Sequence, residues 1–369
     1  MKNITYILSD IEKALAFEWI IQRIDRKKYN LSFILMNQGD SPLENFLKQN
    51  DVPVKRITYH GKKDMPKAFT QILFQLKKFK TQCVHCHAFD ATVAGLPAAK
   101  LAGIKQRIYT RHHSDLHHTY HPSGIKYDRM NNRLATHIIA ISPMVKRILM
   151  SMEHVPAKKI TLMPHGFKLE DFDTVDESSV ERLTLKYNPQ RRTPVIGVIA
   201  RHTAWKGIQN TIPAFEKLLQ VYPEALLILA NASGDYKMEI DALLSRLPKE
   251  SYCEIKFENE LFPLYKLFNV FVHVPISPIA EAYGQTYVEA LASGIPSVFT
   301  LSGIAQDFVV DKHNALVVDF NNSGEIYDAL LKLLSDETLR TNLIANGKKD
   351  VRDNYHLDRM MKTLDELYA

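Results

Sequence analysis

Val195-Ile-Gly-Val-Ile-Ala200, running directly into Arg201-His-Thr-Ala-Trp-Lys206-Gly207, decides how the chain is to be read. A short uncharged run that stops at a polar loop predicts a strand buried on both faces. The same unit recurs along the chain. Upstream, strands are expected at Ile4–Leu8, Leu31–Met36, Val54–Tyr59, Cys83–Ala88, Arg107–Thr110, His137–Ile141 and Ile160–Met163. Downstream they are expected at Ala225–Ala230, Glu254–Phe257, Val270–Val274, Ser297–Leu301 and Ala315–Val318. Between them lie stretches with spacings of three and four, such as Phe17, Ile20, Ile21 and Ile24, which predict helices. Buried strands alternating with helices predict α/β architecture, with parallel sheets covered on both faces.

Leu169–Arg192 is polar, first acidic and then basic, with no sustained apolar run. It divides the rhythm into two doubly wound domains. We place the first over residues 1–170, a connector with one short helix over 171–192, and the second domain over 193–351. A last helix fills 352–369, with Leu357, Met360, Met361, Leu364 and Leu367 at helical spacing. Ligands of such sheets sit beyond the carboxyl ends of the strands. That position is occupied by Arg201 and Lys206, a guanidinium and an ammonium suited to the charge on a departing diphosphate.

The 369 residues are 46% hydrophobic and 24% charged, a globular composition that excludes a disordered or fibrous chain. No run approaches the ~18 apolar residues of a membrane span. The opening MKNITYILSD is expected to be a buried first strand and not a signal peptide. Three cysteines exclude a disulfide scaffold and fit a reducing cytoplasm. The net charge of +6 averages two unlike halves: residues 1–170 carry 27 basic and 13 acidic side chains, the remainder 20 and 28. The halves are therefore expected to meet different partners.

Glu281-Ala-Tyr-Gly-Gln-Thr-Tyr-Val-Glu289-Ala-Leu-Ala-Ser-Gly294-Ile-Pro296 carries the most chemistry. Gly294 and Pro296 stop a helix, and counting back gives a helix from Thr286 to Ser293, entered through a loop with Gly284. The free N–H groups and positive dipole end at its start suit an anion such as a pyrophosphate. Glu281 and Glu289, flanking that turn, suit hydroxyl groups as found on a ribose and a sugar.

Glu281 with Glu289, an E-x7-E pair, and Arg201 with Lys206-Gly207, an R-x4-K-G pair, resemble the signatures of retaining GT-B glycosyltransferases of the large fourth glycosyltransferase family. ATHIIAISPMVKRIL and KITLMPHGFKLEDF within Ala135–Phe172, and the strand after His313-Asn314, follow the family's patterns over nearly the whole chain. The resemblance implies two Rossmann-like domains facing each other across a cleft, with the C-terminal helix crossing back to the first. It implies that Glu289 holds the ribose and Glu281 a hydroxyl of the transferred sugar. Arg201 and Lys206 would grip the diphosphate, and the backbone after Gly284, at Gln285 and Thr286, would complete the cradle. It further implies a nucleotide-diphosphate sugar (UDP- or GDP-linked) as donor, retention of configuration, hexosyl or N-acetylhexosaminyl transfer, and neither cofactor nor metal. Two features depart from the pattern: the family's Gly-Gly loop is Ser9-Asp10-Ile11-Glu12, and its Asn before Gly166 is His165.

Eleven of the fifteen histidines fall in residues 1–170, densest from His112 to His121. Thr110-Arg111-His112 resembles the family's T-x-H, whose histidine sits near the sugar's reactive carbon; His113 is adjacent. A metal site from His112, His113, His117, His118 and Asp115 is chemically conceivable, but no second ligand cluster closes a tetrahedral pattern. Cys83-Val-His-Cys86-His87 spells the haem-attachment motif. Residues three apart on a strand point to opposite faces, which argues against one shared haem, and His85 and His87 resemble the family's v-H-x-H strand end.

Ala68–Lys80 predicts a helix with Phe69, Ile72, Leu73, Leu76 and Phe79 on one stripe and Lys67, Lys77, Lys78 and Lys80 off it. Those lysines form either a solvated face or a contact with anionic headgroups. No helix-turn-helix or aromatic platform accompanies the charge, so nucleic acid is not expected. The expectation is a cytoplasmic, peripherally membrane-bound glycosyltransferase of surface polysaccharide or glycan assembly, acting on a glycan or lipid-linked glycan. A sugar-nucleotide epimerase and a non-catalytic binding protein on the same fold are the alternatives.

Overall fold

The structure, a computed structural model, describes residues 1–11 and 14–369. Glu12 of the loop after the first strand lies outside them. The chain forms two compact units, Met1–Phe167 with Leu357–Ala369, and Lys168–His356.

Unit 1 is built on seven strands: β1 (Lys2–Ser9), β2 (Tyr29–Asn37), β3 (Val54–Thr58), β4 (Cys83–His87), β5 (Gln106–Arg111), β6 (His137–Ala140) and β7 (Ile160–Leu162). They pair in the order β3-β2-β1-β4-β5-β6-β7, every pairing parallel. The central strands are buried on both faces, as their unbroken apolar runs require: Ile4, Tyr6, Ile7, Leu8 and Phe33–Met36 are sealed from solvent. The order reverses between β1 and β4, and the carboxyl ends of β4 and β5 bring His87 and His112 to that edge.

Unit 2 carries β8 (Val195–Ile199), β9 (Leu226–Ala230), β10 (Tyr252–Ile255), β11 (Val270–His273), β12 (Ser297–Phe299) and β13 (Leu316–Val317). Their order is β10-β9-β8-β11-β12-β13, again all parallel. Its core unites Ile196, Val198, Leu227, Leu229, Val270 and Val272 of the sheet with Ile212 and Phe215 of helix Ile208–Leu218 and Leu330 of helix Ser323–Ser335. The switch point lies between β8, which ends at Ile199 two residues before Arg201, and β11, which ends at His273.

Each expected strand is present, with one shifted. The strand expected at Glu254–Phe257 is Tyr252–Ile255, because its partner β9 ends at Ala230 and the pairing stops at Ile255↔Ala230. The connector is also more structured than its polarity suggested. It holds helices Glu170–Asp173 and Glu177–Tyr187, both in unit 2. Two apolar residues suffice to anchor them: Phe172 packs on Phe262 with ring centres 4.7 Å apart, and Leu183 is buried. Asp176 caps the second helix by accepting from the Ser178 and Ser179 N–H groups.

The last helix begins at Leu357, five residues after the expected start at 352. Residues 352–355 end the preceding helix, Glu337–Tyr355, and the chain turns extended at His356. Leu357–Tyr368 belongs to unit 1, where Lys2 Nζ donates to the Tyr368 carbonyl (2.6 Å) and Gln106 Nε2 to that of Leu367 (2.7 Å). The chain returns to unit 1 beside its point of departure: Leu357 N–H donates to the Phe167 carbonyl at 2.9 Å. Gly166 makes this approach possible, since a Cβ there would lie 2.8 Å from Leu357 Cα.

Candidate active site

In unit 2 the loop after β8 tightens into one 3-10 turn, Ala204–Lys206, and reverses at Gly207 (φ +75°) into helix Ile208–Leu218. Only glycine fits: a Cβ at 207 would stand 1.8 Å from the Val274 carbonyl oxygen. The tight turn aims Lys206 across the switch point, where its Nζ meets Glu281 Oε1 at 2.5 Å. His273, the last residue of β11, approaches the same oxygen through Nε2 at 3.1 Å, and Ser302 Oγ accepts from the Glu281 N–H at 3.0 Å. Burial alone would push the Glu281 carboxyl up. The Lys206 charge and the hydrogen bond from His273 outweigh it and hold the pKa at about 2.

Helix Gln285–Ala292 starts one residue before the position expected, because Gly284 (φ +89°) makes the turn and serves as its N-cap. No side chain caps that start, so the N–H groups of Gln285 and Thr286 point outward uncapped. Thr286 Oγ1 is buried without a hydrogen-bond partner among the described residues. One turn further, Glu289 is buried and accepts from Tyr265 Oη at 2.8 Å. Burial raises its pKa to about 7, with the Tyr265 hydrogen bond opposing only in part. The two glutamates thus share a motif and are shifted in opposite directions.

A raised carboxyl costs stability when it ionises. With an unfolded value near 4.5 and a folded value of about 7, Glu289 should weaken unit 2 as pH rises between them and leave a constant deficit of about 3 kcal/mol above. Glu289→Gln, which keeps an acceptor for Tyr265, should therefore raise stability above pH 7 and change little at pH 4. Denaturant unfolding at both values measures this, and a pH-independent difference would contradict it.

Arg201 follows β8 on the same edge; it is exposed and its side chain has no ion pair or hydrogen bond among the described residues. The structure therefore gathers Lys206, Glu281 and the Gly284-Gln285-Thr286 turn, seats Glu289 behind them, and leaves Arg201 outward. His273 and Tyr265 were missed by the sequence reading. His273 is the penultimate residue of the strand expected at Val270–Val274, at the ligand edge, a signal that was available; Tyr265 is 24 residues from Glu289 and nothing local marks it.

His112 belongs to unit 1. Its Nε2 lies 3.0 Å from His87 Nδ1, and its ring stacks on His165 at 5.6 Å. Burial and the neighbouring imidazoles hold His87 well below 6.5, and the same two causes hold His112 at about 3. His113, His117 and Asp128 bring ligand atoms within 4.8 Å of one another. They do not fit a metal site, because Arg111 already holds Asp128 at 2.9 Å and would face any cation. Of the other residues considered for a metal, Asp115 binds Ser114 and Thr119 and His112 binds His87, so that set does not assemble. Cys83 and Cys86 are three residues apart on β4 and so lie on opposite faces of the sheet, with Cys86 Sγ against Gly95, an arrangement that does not fit one haem.

Comparison with known proteins gives this geometry a family. A Glycosyltransferase Family 4 model matches residues 20–171, and a glycosyl transferases group 1 model matches 181–350. The chain belongs to the group 1 glycosyltransferases and has their GT-B fold of two Rossmann-like domains. The capsular polysaccharide biosynthesis glycosyltransferase CapM of Staphylococcus aureus is 25% identical over 82% of this chain and 80% of its own. The alpha-monoglucosyldiacylglycerol synthase of Acholeplasma laidlawii is 24% identical over 82% and 80%. Among solved structures, Anabaena Alr3699/HepE in complex with UDP and glucose has a TM-score of 0.83 at 19% identity, covering 99% of this chain and 98% of that one.

Proposed function

We propose that the chain transfers a hexosyl or N-acetylhexosaminyl group from a UDP- or GDP-linked sugar to a hydroxyl of a glycan or lipid-linked glycan, with retention of configuration. The observation that carries this reading is the Lys206–Glu281 pair standing beside an uncapped helix start at the switch point of unit 2. Lys206 spends one of three N–H donors on Glu281, leaving two for phosphate oxygens. Arg201 and the N–H groups of Gln285 and Thr286 supply the rest of the diphosphate cradle. Together they stabilise charge on the leaving diphosphate, so no metal is required for that task. Glu281, ionised, orients a sugar hydroxyl, and Glu289 accepts from the ribose.

The bond between the anomeric carbon and the diphosphate oxygen breaks, the acceptor oxygen bonds to that carbon, and the acceptor's proton passes to the leaving phosphate. The T-x-H resemblance gives His112 a role at the reactive carbon of the transferred sugar. The complexes of the Anabaena relative with UDP and glucose and the capsule and glycolipid enzymes among the relatives agree with donor and acceptor of this kind. Incubation with a panel of UDP- and GDP-sugars, with and without octyl glycosides, tests the reading. Acceptor-dependent release of nucleoside diphosphate supports it; a changed sugar nucleotide without acceptor supports the epimerase, and no product supports a binding protein.

The acceptor side is unit 1, and an anionic membrane at the cytoplasmic face is its proposed location. Helix Met65–Lys78 buries Ala68, Ile72 and Leu76 and exposes Lys67, Phe74, Lys77 and Lys78, with Lys62 and Lys63 just before it. None of these lysines has an ion-pair partner among the described residues, and Phe74 is 69% exposed at their centre. No helix of the described residues is long and apolar enough to cross a membrane. Vesicles containing phosphatidylglycerol should sediment the protein, and neutral vesicles should not; equal binding to both contradicts a headgroup contact. Phe74→Ser should weaken the binding.

A further inference from the structure

Glu281 has two side-chain supports in unit 2, and they differ in kind. The Lys206 side chain is 18% open to solvent, so its ammonium is available to a second anion. His273 is 2% exposed, at the end of β11, with the Tyr287 ring edge-on at 4.8 Å and Phe271 along the same strand. Ser302 Oγ fixes the Glu281 main chain by accepting from its N–H at 3.0 Å. The carboxylate therefore turns only about its own side chain, and the two donors hold that turn.

The protonation of His273 follows from its two nitrogens. Nε2 stands 3.1 Å from Glu281 Oε1, and an ionised carboxylate only accepts, so Nε2 carries a proton and donates it. Nδ1 is buried with no hydrogen-bond partner among the described residues. A proton there would be a buried donor without an acceptor, on a cationic ring beside the Lys206 ammonium. The ring is thus neutral, with its single N–H aimed at Glu281, and burial holds its pKa below the usual 6.5.

A diphosphate bound at Lys206 divides the attraction of the ammonium and adds negative charge near Glu281. Both effects favour a neutral carboxyl, which loses part of its capacity to accept from a sugar hydroxyl. His273 is out of reach of that competition, because it is buried behind the carboxylate it serves. We propose that His273 is a positioning residue that keeps Glu281 ionised and aimed at the sugar hydroxyl while the diphosphate engages Lys206. The inference rests on the donor site proposed above and adds a residue that neither the R-x4-K-G nor the E-x7-E pair contains.

Among the described residues, the titratable groups set against Glu281 are Lys206 from the loop after β8, His273 from β11 and Tyr287 from helix Gln285–Ala292. Tyr287 donates to the Thr300 carbonyl at 3.0 Å and stays un-ionised well above pH 10. A change in pH profile on altering His273 therefore reports on Glu281. His273→Gln carries an amide N–H at nearly the reach of Nε2, whereas the amide of His273→Asn is one bond shorter and misses Glu281.

The test measures kcat of the full chain from pH 5.5 to 8.5. UDP-glucose, UDP-galactose, UDP-N-acetylglucosamine and GDP-mannose serve as donors and octyl glycosides as acceptors. His273→Asn should lose at least about tenfold in kcat at pH 6, with a smaller change in donor KM, and the loss should shrink towards pH 8.5 as Glu281 ionises unaided. His273→Gln should recover most of that loss. A loss that does not vary with pH, or equal losses in Gln and Asn, overturns the assignment and reduces His273 to packing.

NMR of the chain labelled with 15N-histidine should show, with and without UDP, one neutral Nε2–H imidazole from pH 6 to 8 that disappears in His273→Gln. An Nδ1–H or cationic His273 in that range also overturns the proposal, and neither this result nor the Gln kinetics depends on His273→Asn folding. Failure of every donor to turn over, with no binding of UDP or GDP, contradicts the donor reading itself. Turnover with a pH-independent variant ratio contradicts His273 alone.

Discussion

Lys206→Ala is expected to lower turnover at least about a hundredfold while unit 2 remains folded. Among the described residues, the Lys206 ammonium is the side-chain cation paired with Glu281 at the switch point, at 2.5 Å. Removing one preorganised group that stabilises charge developing on a leaving oxygen typically costs 10²–10³ in rate, about 3–4 kcal/mol. The substitution also leaves Glu281 buried without its main counter-charge. His273 limits the structural damage: its Nε2 already contacts the carboxylate, and the Lys206 charge that helped hold its pKa down is gone. A proton on His273 can then replace the lost positive charge and keep unit 2 together. Steady-state kinetics with thermal unfolding of the same sample separates the two effects. Near-normal turnover would remove Lys206 from the diphosphate site.

Arg111→Met is expected to destabilise unit 1 by about 3–5 kcal/mol, with no change in the unit 2 transition. Arg111 is 2% exposed and joins two carboxylates that are themselves buried: Asp128 at 2.9 Å and Glu153 at 2.5 Å. Methionine fills much of the volume but leaves two buried negative charges unopposed, and breaking such a pair costs more than its formation gains. The imidazoles of His113, His117 and His118 lie against the same carboxylates. Denaturant unfolding at pH 8 measures the loss. A loss below about 1 kcal/mol at pH 8 would mean that the network is solvated.

The two sheets were legible because parallel strands buried on both faces must be short and apolar throughout, and nothing else in the chain has that pattern. The donor turn was legible for a related reason. Gly207 and Gly284 are placed by backbone demands, a 1.8 Å clash in one case and a left-handed N-cap in the other, and glycines with that duty stand out between a strand and a helix. What remained hidden depends on contacts between distant segments. Tyr265 with Glu289, His273 with Glu281, and Arg111 with Glu153 across 42 residues are made by tertiary packing, which periodicity does not encode. The polar connector misled because two buried residues, Phe172 and Leu183, are enough to seat two short helices once a core exists nearby. The dense histidine run divided in a way that spacing alone could not show. His112 joins His87, while His113, His117 and His118 surround the Arg111 carboxylates.

In the proposed function, unit 2 binds a nucleoside diphosphate through Lys206, Arg201 and the helix start at Gly284, with Glu289 on the ribose. Calorimetric titration of UDP and GDP into wild type, Lys206→Ala and Arg201→Ala measures it directly. One nucleotide should bind wild type without added metal, each substitution should weaken it about tenfold or more, and a saturating concentration near a hundred times Kd should add about 2.7 kcal/mol of stability. Equal affinity in all three proteins, or no binding of either nucleotide, would contradict the account.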